Sequence, residues 1–171
     1  HVRAITDVIV PLMVHLINQM MIKGIFPKAF KIAIVTPINK TGKKSDVSDY
    51  RPVSVLTTFN KIVEKVIYKR LTSFTDGFLN IIYNHQYGYR KRTSAETAAL
   101  EMMNHVQMAI DKKLKASLVF MDLKKAFDIV NIDKLLLTLS NYGIRGFALK
   151  LIEDYLSNRQ QMVKINGVFS C

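Results

Sequence analysis

The chain has 171 residues, 49% of them hydrophobic, and 25 Lys and Arg against 13 Asp and Glu give a net charge of +12. That size suits one domain with a real core and excludes a disordered chain, while the charge points to a polyanionic partner, nucleic acid before membrane surface, over a merely basic soluble face. One cysteine, Cys171, excludes an internal disulfide and points to a reducing compartment. With four scattered histidines it forms no zinc pattern. The apolar run 8–17 contains Pro11 and His15 and is shorter than the roughly 20 residues a membrane span needs, so no signal peptide, spanning segment or membrane partner is expected.

In chain order, Ile5, Ile9, Leu12, Leu16, Ile17 and Met20 recur at helical spacing, with Gly24 as the stop and Pro27 beyond. Pro11 either kinks that helix or begins its main part. Lys31-Ile32-Ala33-Ile34-Val35-Thr36-Pro37-Ile38 predicts a strand, followed by a polar basic loop over 39–45. Phe59, Ile62, Val63, Val66, Ile67 and Leu71 form one apolar helical face, read as core, before a turn at Asp76-Gly77. Thr93-Ser94-Ala95-Glu96 is a capping-box pattern opening a helix through Leu100, Met103, Val106, Gln107 and Ile110, whose Met-rich face reads as packing.

Leu118-Val119-Phe120-Met121 predicts a continuous buried strand ending on Asp122. Leu135, Leu136, Leu139 and Tyr142 predict a helix closed by Gly143, and Phe147, Leu151, Ile152 and Tyr155 another. Residues 161–167 read as a strand entering a turn, a sheet-forming unit interrupted there, and both ends look cut. Segregated helices with few strands predict an α+β fold rather than a βαβ repeat.

Three segments carry chemical character. Lys40, Lys43, Lys44 and Arg51 suit phosphate, Arg bidentately and Lys as a point charge, or else form a solvated loop. In His85-Gln86-Tyr87-Gly88-Tyr89-Arg90-Lys91-Arg92, rings interleave with cations just before a helix start. The tyrosines either stack on bases or anchor the loop to the core. Asp122, at a strand's C-terminal end, is a candidate hard-cation ligand or a capping, solvent-facing carboxylate. Asp128 is a possible partner or a cap for the helix that follows.

Taken in order, these segments resemble the N-terminal half of a reverse transcriptase from a non-LTR retrotransposon. The resemblance runs through Gly24-Ile25-Phe26-Pro27 with Lys31, Val35-Thr36-Pro37-Ile38-Asn39-Lys40, Tyr50-Arg51-Pro52-Val53-Ser54-Val55-Leu56 and Lys61-Ile62-Val63-Glu64-Lys65. It continues in Gln86-Tyr87-Gly88-Tyr89-Arg90, Asp122-Leu123-Lys124-Lys125-Ala126-Phe127-Asp128 and Tyr155-Leu156-Ser157-Asn158-Arg159-Gln160.

The resemblance implies a right-hand polymerase fold, fingers over 1–115 and partial palm over 116–171, helix-rich with a short interrupted antiparallel sheet. It implies RNA-directed DNA synthesis with Mg²⁺ as the two-metal cofactor, and an RNA template, a DNA primer, deoxynucleotides and the rest of the polymerase chain as partners. Asp122 matches the first palm aspartate, bridging both metals. Leu123 lies beside the second metal and the triphosphate. Phe127 matches the ring beneath the sugar that excludes a 2′-hydroxyl, which leaves Asp128 as a cap. Lys40 and Arg51 match the triphosphate clamp, and Gln86 and Arg90 the template and primer grip.

The family's Pro-Gln-Gly and Tyr-x-Asp-Asp motifs do not occur before Cys171. The isolated chain is therefore expected to be inactive and prone to self-association through an open strand edge. The alternatives are a non-catalytic nucleic-acid-binding remnant and a maturase-like relative encoded by an intron.

Overall fold

The computed structural model describes residues 2–40, 42, 46, 49–78, 82–123, 126–165 and 167–170. They form α1 (Val2–Lys23), a 3₁₀ turn (Lys28–Lys31), β1 (Ile32–Asn39), β2 (Tyr50–Val55), α2 (Thr58–Phe78), α3 (Ala95–Asp111), α4 (Ile132–Asn141), α5 (Gly146–Leu156), β3 (Gln160–Ile165) and β4 (Val168–Phe169). The fold is α+β, and the chain divides into two compact units, residues 1–68 with 131–171, and residues 69–130.

The first unit carries the core. Ile17 and Met20 of α1, Phe26, Val63 of α2 and Leu151 of α5 bury together, with Leu16, Phe30, Val66, Ile67 and Tyr155 packed against them. Pro11 lies inside an unbroken α1. That helix ends where Gly24 turns left-handed at φ +63°, its N–H donating to Met20 O. A side chain here would meet Phe147 O at 3.0 Å and Lys150 Cβ at 3.1 Å, so glycine is demanded twice, by the turn and by the close approach of α5.

Beyond this turn, Asp154 of α5 receives the Phe26 amide at 2.6 Å and the buried Lys31 ammonium at 2.7 Å. Partial burial raises the Asp154 carboxyl, but the bonds from Lys31 and Phe26, with the charges of Lys31 and Lys150, outweigh it and hold the group below the usual carboxylate range. Asn60, buried in the first turn of α2, donates to Phe30 O at 3.0 Å, and its own N–H is capped by Thr57 Oγ1.

The sheet order is β2-β1-β3-β4. β1 pairs antiparallel with β2 and β3 with β4, but β1 and β3 run parallel, Ile32 opposite Gln160 through Val35 opposite Val163. The sheet is thus mixed. A one-strand pattern cannot reveal this parallel pairing between segments far apart in sequence. The strand read over 161–165 is present, and Gly167, at φ +85°, turns it back into β4. α4 and α5 lie where the apolar spacing predicts, and Gly143, at φ +90°, closes α4.

The second unit holds the end of α2, α3 and the loops on either side. α2 runs through Asp76 and Gly77 to Phe78, where the sequence suggested a turn; an interior glycine costs a helix only about 1 kcal/mol. α3 opens at the predicted place, but the box is shifted by one residue: Ser94 rather than Thr93 is the N-cap, and Thr97 rather than Glu96 closes it, its hydroxyl accepting from the Ser94 N–H at 2.7 Å. The apolar face of α3, predicted as packing, is exposed at Leu100, Met103, Met108 and Ile110.

Candidate functional site

The tip of the β1–β2 ribbon carries the first candidate pair. Ile38 faces Arg51, and two steps further the Lys40 amide donates to Asp49 O at 2.8 Å, so the antiparallel register continues past the strand end. Residues opposite one another share a face, which sets Lys40 and Arg51 on one side of the ribbon as diagonal neighbours, about 7–8 Å apart in backbone spacing.

The same register explains two prolines in paired strands. Lys40–Asp49 is a hydrogen-bonded pair, so Pro37 opposite Pro52 falls in a non-bonded position, where neither missing N–H breaks the ribbon. Beyond the tip the Gly42 N–H donates to Asn39 Oδ1 at 2.5 Å. Lys43 and Lys44 lie outside the described residues.

Gln86 and Arg90 sit in the second unit, in the loop that feeds α3. The Gln86 amide donates to Tyr83 O at 3.0 Å and its side chain to Gly88 O at 3.4 Å. Arg90 turns one guanidinium nitrogen toward Tyr83 O and Asn84 O, at 3.3 and 3.5 Å. Thr93, read in the sequence as part of the capping box, instead braces the loop: it donates at 2.7 Å to Tyr87 O and is 3.0 Å from Arg90 O.

Tyr89 and Arg92 are held at positive φ, +60° and +63°. Tyr87 is half-buried, whereas Tyr89 is 88% exposed, so of the two alternatives for the rings, anchoring to the core does not hold for Tyr89. Behind the loop, His85 Nδ1 lies 2.6 Å from Glu101 Oε1, beside a shallow cavity of about 290 Å³ lined by Tyr87, Met102, His105 and Leu118.

The segment before Asp122 departs from expectation. Residues 115–123 form no strand, and Leu118, Val119, Phe120 and Met121 are exposed, Met121 at 91%. An apolar run becomes a buried strand only when neighbours supply a ladder and a cover, and among the described residues none pairs with it. Asp122 is exposed, as is Leu123 after it; Lys124 and Lys125 lie outside the described residues.

Phe127, 78% exposed, meets the Tyr89 ring edge-to-face, with centroids 6.1 Å apart and planes at 84°. Asp128 is not the helix cap: Asn131 Oδ1 accepts the Lys134 N–H at 2.9 Å and opens α4. Among the described residues no three His, Cys, Asp or Glu side chains gather into a metal site. Mg²⁺ sites draw on one or two carboxylates with phosphates and waters, and Asp122 is an exposed carboxylate of the kind such a site uses.

Within the first unit, then, the fold brings Lys40 and Arg51 together. Within the second it joins the Gln86–Arg90 loop to Phe127 through Tyr89. No described helix is long and apolar enough to cross a membrane.

Residues 38–170 match the family model described as reverse transcriptase (RNA-dependent DNA polymerase). Among curated proteins, the chain is 33% identical over 130 residues to the RNA-directed DNA polymerase from mobile element jockey of Drosophila melanogaster, covering 75% of the chain and 14% of that protein. It is 30% identical over 152 residues to the "Probable RNA-directed DNA polymerase from transposon BS" of the same fly, covering 85% of the chain and 16% of that protein. To the retrovirus-related Pol polyprotein from type-1 retrotransposable element R2 of Popillia japonica it is 21% identical, covering 85% of the chain and 20% of that protein. The chain thus spans less than a quarter of these relatives.

Proposed function

The chain belongs to the reverse transcriptase (RNA-dependent DNA polymerase) family of non-LTR mobile elements, and we propose that it forms the fingers, over 1–115, and part of the palm, over 116–171, of a polymerase that adds deoxynucleotides to a primer on an RNA template. The observation that carries this reading is the family match through residues 38–170, which includes every residue assigned a role by the motifs.

Lys40 and Arg51 bind the incoming triphosphate, and their shared ribbon face suits them to it. Two cations at diagonal spacing offset the phosphate charge that would repel an attacking hydroxyl, Arg through a planar fork and Lys as a point charge. Gln86 and Arg90 grip template and primer from a loop already braced by its own carbonyls, so less side-chain freedom is lost on binding. Phe127 offers an exposed ring beneath the sugar, where bulk rejects a 2′-hydroxyl. Asp122 would supply one carboxylate to the Mg²⁺ ions, with Leu123 beside it, and the metal would there polarise the transferring phosphate. Residues 1–171 carry Asp122 but neither a Pro-Gln-Gly nor a Tyr-x-Asp-Asp motif, and alone they bind nucleic acid without catalysing extension.

Purified 1–171, mixed with RNA template, DNA primer, deoxynucleotides and Mg²⁺, tests this reading. Salt-sensitive duplex binding without extension is the expected result. Templated extension that disappears in Asp122→Ala would overturn the inactivity, and absence of duplex binding would remove the fingers assignment.

A further inference from the structure

We infer that Tyr89 is a specificity-positioning residue that braces the Phe127 ring and thereby sets discrimination between deoxynucleotides and ribonucleotides, an inference that rests on the role proposed for Phe127. Both residues lie in the second unit. Their rings meet at 6.1 Å and 84°, the edge-to-face arrangement that the aromatic quadrupole favours. Among the described residues Tyr89 is the one ring that Phe127 meets.

Two further observations argue that the contact is built. Tyr89 adopts φ +60°, a left-handed conformation that costs a bulky side chain energy and persists only where its surroundings enforce it. The enforcement is visible: Thr93 ties down the carbonyls of Tyr87 and Arg90 on either side of it, and Arg90 folds back on Tyr83 and Asn84. Nor is the strain offset by burial, since Tyr89 remains 88% exposed. What the strained backbone gains is the direction of the ring, toward Phe127.

A ring that excludes a 2′-hydroxyl by bulk discriminates only while it stays in place, and a displacement of about 1 Å is enough to erode such selection. Phe127 sits in a turn with most of its surface exposed, so its own segment does little to fix it. Tyr89 supplies the missing side support, and does so from the loop that carries Gln86 and Arg90. The template grip and the sugar filter are thereby mechanically joined.

The test uses the full-length polymerase that contains this segment, comparing kcat/KM for deoxynucleotide and ribonucleotide incorporation. Tyr89→Ala is expected to lower discrimination roughly two- to tenfold, the scale of one aromatic edge contact, through a lower KM for the ribonucleotide. Tyr89→Phe, which keeps the ring, restores it. Tyr89→Ala adds nothing in a Phe127→Val background. Tyr89→Gly relieves the backbone strain and removes the ring, so thermal stability holds or rises while discrimination falls, which a merely structural tyrosine would not show.

Wild-type discrimination in Tyr89→Ala, in an enzyme whose Phe127→Val is relaxed, overturns the inference and leaves the role of Phe127 standing. Unchanged discrimination in Phe127→Val removes that role, and the inference with it.

Discussion

The Tyr155 hydroxyl donates a 2.8 Å hydrogen bond to Glu64 Oε1, joining α5 to α2. The same ring meets Phe26 edge-to-face at 4.9 Å and lies under the Arg159 guanidinium at 4.8 Å. Four residues of the family-like motifs thus meet at one point in the first unit, far along the chain from Asp122. They hold the scaffold together.

Burial, the bond to Glu64 and the Glu64 charge together push the Tyr155 hydroxyl up to about 12. A raised folded-state value means that the stabilisation is fully present below the ordinary tyrosine value near 10 and is lost as pH rises through about 12. Tyr155→Phe should cost about 1–2 kcal/mol at pH 7 and flatten the alkaline loss in a urea titration. An unchanged alkaline limb would contradict the assignment.

The acid side of the curve belongs in part to Asp154. Its folded carboxyl lies below the usual range, so its contribution is present above the unfolded value near 3.9 and disappears as pH falls through the folded value. Asp154→Ala strands a buried Lys31 ammonium and the Phe26 amide, and should cost about 3 kcal/mol or more. Lys31→Met leaves Asp154 with the Phe26 bond and partial access to water, and should cost clearly less. Equal losses in chemical denaturation would refute this asymmetry.

Gly24→Ala combines a left-handed backbone with a contact 3.0 Å from Phe147 O. The conformational term alone is about 1–2 kcal/mol, and the displaced α5 adds to it. Thermal unfolding should fall by several degrees. A melting temperature equal to wild type would show that the α1–α5 junction gives way freely.

These elements divide what a sequence reveals from what it withholds. The helical faces of α1, α2, α4 and α5 were legible because 3.6-residue periodicity is local, and the stops at Gly24 and Gly143 because positive φ favours glycine. The buried Lys31–Asp154 pair was not legible, since nothing near either residue marks a partner across the fold. The apolar run 118–121 read as a buried strand because its composition is that of one, but burial depends on neighbours rather than composition. At the site, the motifs identified Lys40, Arg51, Gln86, Arg90, Asp122, Leu123 and Phe127 as candidates. The bracing role inferred for Tyr89 was illegible, because a left-handed tyrosine leaves no signature in spacing.

Phosphate-driven binding predicts a specific salt response. The affinity of the chain for an RNA–DNA duplex should fall steeply between about 50 and 200 mM salt, and Arg90→Ala, in the proposed template and primer grip, should reduce the log–log slope by roughly 1. Affinity independent of salt would exclude a phosphate interface.

The central claim is that this segment supplies Asp122 to the catalytic centre of an RNA-directed DNA polymerase. RNA-templated extension of a DNA primer by the full-length enzyme, wild type against Asp122→Ala, tests it most directly. The account predicts that Asp122→Ala abolishes extension while primer–template affinity is retained. Extension at the wild-type rate in Asp122→Ala would contradict it.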